Sequence, residues 1–311
     1  MNREIKVYVA GHRGLVGSAI VRELVRRGYS NIIVRTSIQL DLTRQAEVED
    51  FFLDEKPEHV YLAAAKVGGI LANSTYPADF IFRNLVIATN VIHSAYKAGA
   101  GKLLNLGSSC IYPRNAPQPL KEEYLLTGPL EPTNEAYAVA KIAAIKLCGY
   151  YNSQFGTDFV SLMPTNLYGP GDSFDLQNSH VLPALIRKFH EAKQSGAPEV
   201  AVWGTGTPMR EFLYVDDLAE AAVHVMENCS SKDTGEFVNV GTGEDVTVRD
   251  LAETVRAAVG FEGAITFDKE KPDGMPRKLL DVSRVRALGW RHKTSLAEGI
   301  MKTYEWYKNS I

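Results

Sequence analysis

The chain has 311 residues, with 34 lysines and arginines against 37 aspartates and glutamates, a formal charge of −3, and 45% apolar residues. A chain of this length buries roughly 75% of its unfolded surface, so it needs no cross-links, and this mix of charge and apolar content excludes a disordered chain. Near-neutrality excludes a broad nucleic-acid surface, and three cysteines at 110, 148 and 229, without a CxxC pair, indicate neither a disulfide framework nor a zinc site.

Residues 1–10 run straight into a strand and leave no room for a leader, and no apolar run reaches membrane-spanning length, so a cytoplasmic protein is expected. Short aliphatic runs at 7–10, 31–34, 59–65, 102–106 and 159–164 read as buried strands. Between them 18–27, 44–56, 79–98 and 135–154 carry helical spacing, with Ile20, Val21, Leu24 and Val25 set against Arg22, Arg26 and Arg27. This alternation predicts an α/β fold of Rossmann type, a doubly wound parallel sheet with helices on both faces. From about residue 169 prolines and glycines cluster, and short strands at 200–203 and 237–240 mix with helices near 216–226, 248–259 and 296–308. A smaller α+β substrate-binding lobe is expected there. The predicted division is a cofactor domain over 1–168, joined by later segments, and a mainly substrate-binding lobe over 169–311.

Gly11, Gly14 and Gly17 follow the first strand with GxxGxxG spacing, and Leu15 and Val16 open the next helix. Glycine lets a tight turn form and lets the chain approach a pyrophosphate, which sits at the positive helix N-terminus. A structural tight turn is the plain alternative. An acidic residue ending the second strand would mark NAD, but Arg35 stands there and Arg13 lies within the turn. Two guanidinium groups suit a 2′-phosphate, so NADP(H) is expected, unless Arg35 is merely a solvated strand end. Asp41 is expected near the adenine.

Tyr137 and Lys141 are four residues apart, hence on one helix face. A cation about 4 Å away, at an effective dielectric near 20, is worth ~4 kcal/mol and would lower a tyrosine pKa by up to roughly three units. The phenol would then exchange a proton with a substrate oxygen near neutrality. Ser108 or Ser109, at the C-terminal end of a strand where open α/β sheets bind ligands, can donate to the same oxygen.

The motifs AGHRGLVGSAI (10–20), LAAAKVGGI (62–70), GSSCIYP (107–113), EPTNEAYAVAKIA (131–143), MPTNLYGP (163–170), NSHVLPALIRKFH (178–190), WGTGTPMREFLYVDD (203–217) and KPDGMPRKLLD (271–281) span nearly the whole chain. On them the chain resembles the extended short-chain dehydrogenase/reductase family, and within it the epimerase–reductases that act on GDP-linked 4-keto-6-deoxy sugars. It departs at Ser37, where some bacterial members carry a further basic residue, which leaves more of the 2′-phosphate task to Arg13 and Arg35.

The resemblance implies a two-step reaction, inversion at C3 and C5 followed by hydride transfer from NADPH to C4. It assigns Cys110 as base and His180 as acid for the inversions, beside Ser108, Tyr137 and Lys141 for the reduction. On composition alone Cys110 is a small buried hydrophobe and His180 a loop or helix-start residue. Implied cofactor contacts are Leu106, Gly107, Lys141, Pro164, Thr165, Asn166, Leu167 and His180. Implied contacts with the GDP-sugar substrate are Ser109, Lys188, Trp203, Arg210, Asp273 and Arg277, each of which has a solvated or core reading of its own. A homodimer through the two long helices is implied, and neither metal nor nucleic acid nor membrane is expected. Two rivals are a UDP-hexose 4-epimerase, which would hold NAD without net redox change, and a non-catalytic dinucleotide-sensing module. Arg13, Arg35, Cys110 and His180 count against the first; the intact Ser108, Tyr137 and Lys141 count against the second.

Overall fold

Strand β1 (Val7–Ala10) is buried along its whole length, and its side chains alternate between two cores: Val7 and Val9 enter one, Tyr8 and Ala10 the other. That two-sided burial requires helices on both faces. The computed structural model describes residues 3–176, 179–271 and 273–310, apart from the Ile70 side chain. After β1 come α1 (Leu15–Arg26), β2 (Ile32–Ile33), α2 (Gln45–Glu55), β3 (His59–Leu62), α3 (Ile70–Thr75), α4 (Pro77–Lys97), β4 (Lys102–Leu106), α5 (Glu135–Phe155) and β5 (Phe159–Pro164). Then follow β6 (Asn166–Tyr168), α6 (Val181–Ser195), β7 (Glu199–Trp203), β8 (Met209–Tyr214), α7 (Val215–Asn228), α8 (Ser231–Thr234) and β9 (Val238–Val240). The chain ends with β10 (Asp245–Thr247), α9 (Val248–Val259), β11 (Ala264–Asp268), β12 (Arg277–Lys278), α10 (Ser283–Ala287) and α11 (Leu296–Lys308).

The main sheet is parallel, in the order β2-β1-β3-β4-β5-β9. Ala19, Ile20 and Leu24 of α1 share a core with Leu218, Ala222 and Val225 of α7 on one face. Val48 and Phe52 of α2, Val91 and Ile92 of α4 and Cys148 of α5 cover the other. The sheet is therefore doubly wound, as predicted, and it recruits α7 and β9 from the second half of the chain.

A second sheet places β8 between β10 and β12 and also pairs β8 with β6, while β11 pairs with β7. Leu182, Ile186 and Phe189 of α6, Leu251 and Val255 of α9, and Ile300 and Tyr304 of α11 form its core. β5 and β6 are separated by Thr165 alone, so the two sheets meet where the main sheet's strands end.

Candidate active site

Because β2 and β3 lie on opposite sides of β1, their connections diverge and leave a crevice at the C-terminal end of β1, the switch point where such sheets bind ligands. Gly11 sits there with φ +84°, and a Cβ on it would stand 2.8 Å from the Ala64 backbone. Gly17, inside α1, packs so close that its Cβ would fall 2.1 Å from the Gly11 carbonyl oxygen, whereas one on Gly14 would meet that oxygen at an ordinary 3.5 Å. The Gly14 N–H donates to the Gly11 carbonyl at 3.0 Å, and the first turn of α1, begun by Leu15 and Val16, has neither side-chain cap nor acidic residue. Its amide groups are left to face an anion.

Arg13 is exposed beside this turn. The Arg35 guanidinium is partnered: it reaches Glu55 at 2.6 Å and lies 5.4 Å from the Phe51 ring centroid. His12 turns partly inward, with its Nδ1 buried and without a hydrogen bond. Asp41 closes a local turn, accepting from the Thr43 N–H at 2.9 Å and hydroxyl at 2.7 Å, which holds its carboxyl below the usual range.

Ser108 lies two residues past the end of β4, after Gly107, and its oxygen accepts from the Cys110 N–H at 3.5 Å to begin a short 3₁₀ turn over Ser109–Ile111. The same hydroxyl draws the pKa of the Tyr137 phenol and of the Cys110 thiol down, against the larger rise from burial. Lys141, one turn further along α5, donates to the Leu106 carbonyl at 2.7 Å and stands 5.6 Å from the Tyr137 ring centroid. Phe80 of α4 meets the Tyr137 ring edge to face at 6.2 Å.

Here the structure departs from expectation. Burial holds the Tyr137 phenol well above its ordinary range, and burial draws Lys141 down to about 8. The ammonium is fixed toward the Leu106 carbonyl rather than the phenol, so desolvation decides the ionisation of Tyr137. It is kept as a neutral phenol.

Burial likewise pushes the Cys110 thiol up, while Lys278, then Ser108 and Lys141, pull it back. His180 stands at the N-terminal boundary of α6 without a capping hydrogen bond; it keeps contact with solvent, yet its crowded surround, and after that Lys278, hold its imidazole below the ordinary range. Gly107 is packed against Met163, where a Cβ would fall 2.1 Å from the sulfur. Past β5 and Pro164, Thr165 donates its N–H to Val240 at 3.0 Å and Asn166 its side-chain amide to the Glu211 carbonyl at 2.8 Å, and Leu167 lies in β6.

The remaining predicted contacts form two groups. Lys188 donates to the Ala201 carbonyl at 3.0 Å and lies 5.3 Å from the Trp203 ring centroid, to which Lys271 also comes within 5.6 Å; Trp203 is 54% exposed. Arg210 donates to the Met209 carbonyl at 2.8 Å, and burial lowers its pKa. Asp273 and Arg277 are committed within the protein. Asp273 accepts from the Thr205 N–H at 2.7 Å and hydroxyl at 2.8 Å, and Arg277 grips Asp245 at 2.6 and 3.2 Å. Asn178 and Pro272, within the quoted motifs, lie outside the described residues.

Sequence reasoning missed Lys278, which lines a cleft with Ser109, Cys110, Glu131, Asn134 and Met275. The Asn134 side-chain oxygen is buried there without a partner. The available signal was the Arg277–Lys278 pair ahead of two leucines, since adjacent strand residues face opposite ways.

Residues 7–241 match the NAD dependent epimerase/dehydratase family. GDP-L-fucose synthase 1 of Arabidopsis thaliana is 61% identical over 310 residues, covering 100% of this chain and 95% of that protein. The GDP-L-fucose synthase of Escherichia coli K12 is 56% identical over 308 residues, covering 97% and 96%. Among solved structures, MlghC, a GDP-mannoheptose C4 reductase from Campylobacter jejuni with NADP bound, matches with a TM-score of 0.91 at 42% identity over 99% of each chain. With relatives so similar over their full length, the chain belongs to the NAD dependent epimerase/dehydratase family, in the branch of the GDP-L-fucose synthases.

Proposed function

We propose that the chain converts GDP-4-keto-6-deoxy-D-mannose to GDP-L-fucose in two steps, inversion at C3 and C5 and then NADPH-dependent reduction at C4. The observation that carries this reading is the packing of the short turn begun by Ser108, which holds Cys110, against α5, which carries Tyr137 and Lys141, so that an epimerase group and a reductase group meet at one place. The identity to GDP-L-fucose synthases over the whole chain supports the substrate.

The glycine turn suits a dinucleotide, with Gly11 and Gly17 in contact and the amides of the first turn of α1 uncapped. Gly11, Arg13, Gly14, Leu15, Val16, Gly17, Arg35 and Asp41 would hold the adenosine and phosphate end; Leu106, Gly107, Lys141, Pro164, Thr165, Asn166, Leu167 and His180 would hold the nicotinamide end. When bound, NADPH supplies the hydride. Ser108 and Tyr137 hold the C4 oxygen, which acidifies the protons on C3 and C5. At each of the two carbons Cys110 removes the proton and His180 returns one to the opposite face. Tyr137 then protonates the new C4 hydroxyl, a task for which a phenol that retains its proton is the required form. Lys141 offers its charge to the phenolate left behind. Ser109, Lys188, Trp203, Arg210, Asp273 and Arg277 grip the GDP-sugar, with Asp273 and Arg277 exchanging or sharing their present partners.

Residues 1–168, with later segments, serve the cofactor, and 169–311 mainly the nucleotide sugar. A second copy of the chain covers the α4–α5 face, where Phe82, Val139 and Tyr150 are exposed. Three free, buried cysteines fit a reducing cytoplasm, and among the described residues no helix is long and apolar enough to cross a membrane.

Two variants test the division of labour. Cys110→Ser should lose deuterium uptake from solvent at C3 and C5, and normal uptake would remove Cys110 from the base role. Tyr137→Phe should keep that exchange and lose NADPH oxidation; reduction at the wild-type rate would overturn the donor assignment.

A further inference from the structure

Lys278 lies on β12, registered against Arg210 of β8. Arg277, its strand neighbour, leaves on the opposite face toward Asp245 of β10. Lys278 turns into the cleft that holds Cys110, Ser109, Glu131 and Asn134. Among the described residues no hydrogen bond or ion pair holds its ammonium. The nearby carboxylates are engaged elsewhere. Glu131 meets Arg114 at 3.2 Å, and Glu211 accepts from the N–H groups of Gly243 at 2.8 Å and Leu280 at 2.9 Å.

The charged and titratable groups facing Lys278 are the Cys110 thiol, the His180 imidazole, the Arg210 guanidinium and the Glu211 carboxylate. Cys110 also faces Ser108, Lys141 and Tyr137. Among the groups that oppose burial at Cys110, Lys278 leads, ahead of Lys141. Burial lowers the pKa of Lys278 itself; while it holds its proton, a crowded ammonium without a carboxylate hydrogen-bond partner favours any neighbour that can take negative charge and disfavours any that takes positive charge.

We propose that Lys278 is the positioning cation that sets the charge states of Cys110 and His180 for the inversions. The proposal rests on the base and acid roles assigned above. Its two effects serve one turnover. The cation enlarges the share of Cys110 thiolate able to take a proton from the sugar carbon, whose electron pair passes into the enolate at the C4 oxygen. It also makes a protonated His180 a stronger acid, readier to return a proton as the enolate collapses. One proton is taken and one given at each inversion, and solvent restores both groups.

The test is the pH profile of deuterium uptake at C3 and C5 by the NADP⁺-loaded enzyme with GDP-4-keto-6-deoxy-D-mannose. Removing a positive charge raises the pKa of both Cys110 and His180, so Lys278→Met should move both limbs to higher pH, by about one to two units. Lys278→Arg should keep them near wild type. The pH dependence of Cys110 alkylation by iodoacetamide, read by peptide mass spectrometry, should shift the same way without substrate. A raised KM with unmoved limbs would make Lys278 a phosphate contact and overturn the proposal. If Lys278→Met does not fold, Lys278→Gln carries the same two readouts. Exchange that survives in Cys110→Ser overturns the base assignment and this proposal together; exchange lost there, with unshifted profiles in Lys278→Met, overturns the role of Lys278 alone.

Discussion

Gly17→Ala tests the phosphate turn at its tightest point. By helix propensity alone, alanine inside α1 should stabilise the protein by about 0.5–1 kcal/mol. Packing reverses the sign. The added Cβ would lie 2.1 Å from the Gly11 carbonyl oxygen, 2.5 Å from its carbon and 2.9 Å from the His12 nitrogen, all backbone atoms. An ordinary carbon–oxygen contact is about 3.3–3.6 Å, so the turn must open by roughly 1.3 Å. Gly11 cannot withdraw, because the Ala64 backbone is already close behind it. Overpacking of this kind costs about 1–3 kcal/mol, which outweighs the propensity gain. The expected result is a melting temperature lower by a few degrees, at on the order of 2 °C per kcal/mol. The phosphate-facing amides move with the turn, so NADPH affinity should fall at least about tenfold. Differential scanning calorimetry and titration of NADPH fluorescence read the two effects. Gly14→Ala is the control, since its Cβ meets an ordinary 3.5 Å contact and its φ of −79° suits any residue. A Gly17→Ala protein that melts and binds NADPH like wild type would refute the reasoning.

Lys141→Met should stabilise the protein near neutral pH, because burial lowers the lysine from 10.5 to about 8 and the unfolded chain therefore binds more protons across that window. The wild type should regain ~3 kcal/mol relative to the variant between about pH 7 and pH 10.5, and a difference in urea stability that stays flat with pH would refute this. Asp172 is pushed from 3.8 to about 7 by burial, with its Oδ2 unpartnered, so its cost appears as pH rises through that range. Asp172→Asn should match wild type near about pH 3.5 and exceed it by ~4 kcal/mol near about pH 8; equal stability at both would contradict the assignment. Glu211→Gln should cost ~2–4 kcal/mol in urea denaturation, because an amide nitrogen would face one of the N–H groups of Gly243 and Leu280 that the two carboxylate oxygens now accept. Ser108→Ala should slow both deuterium exchange and NADPH oxidation by about a hundredfold, and an effect on one alone would separate the two sites.

The first half of the fold was legible because its signals are local. Each strand of the main sheet is a short aliphatic run, and the helices between them carry one polar face. The edge strand β2 is shorter than its aliphatic run, since it pairs only with β1. The strand expected over 59–65 ends at Leu62, where the chain turns to pack Ala64 against Gly11. The second sheet was harder to read. β8 carries Arg210 and Glu211 at its centre, and both are accommodated by partners distant in sequence. α6 has no side-chain cap and has Pro183 in its first turn, where proline is tolerated although it reads as a breaker.

Within the site, Ser108, Tyr137 and Lys141 were readable because a strand end and one helix face bring them together. The ionisation of Tyr137 was not, since it depends on burial rather than on the cation four residues away. Lys278 escaped notice for a related reason. It reaches Cys110 only through the pairing of β12 with β8.

The most direct test of the central claim is a single turnover in D₂O with GDP-4-keto-6-deoxy-D-mannose and NADPH, analysed by mass spectrometry and NMR. The account predicts GDP-L-fucose carrying deuterium at C3 and C5, with one NADPH oxidised per product. NADPH oxidation that yields a C4-reduced sugar with unchanged C3 and C5 would make the chain a plain reductase and contradict it.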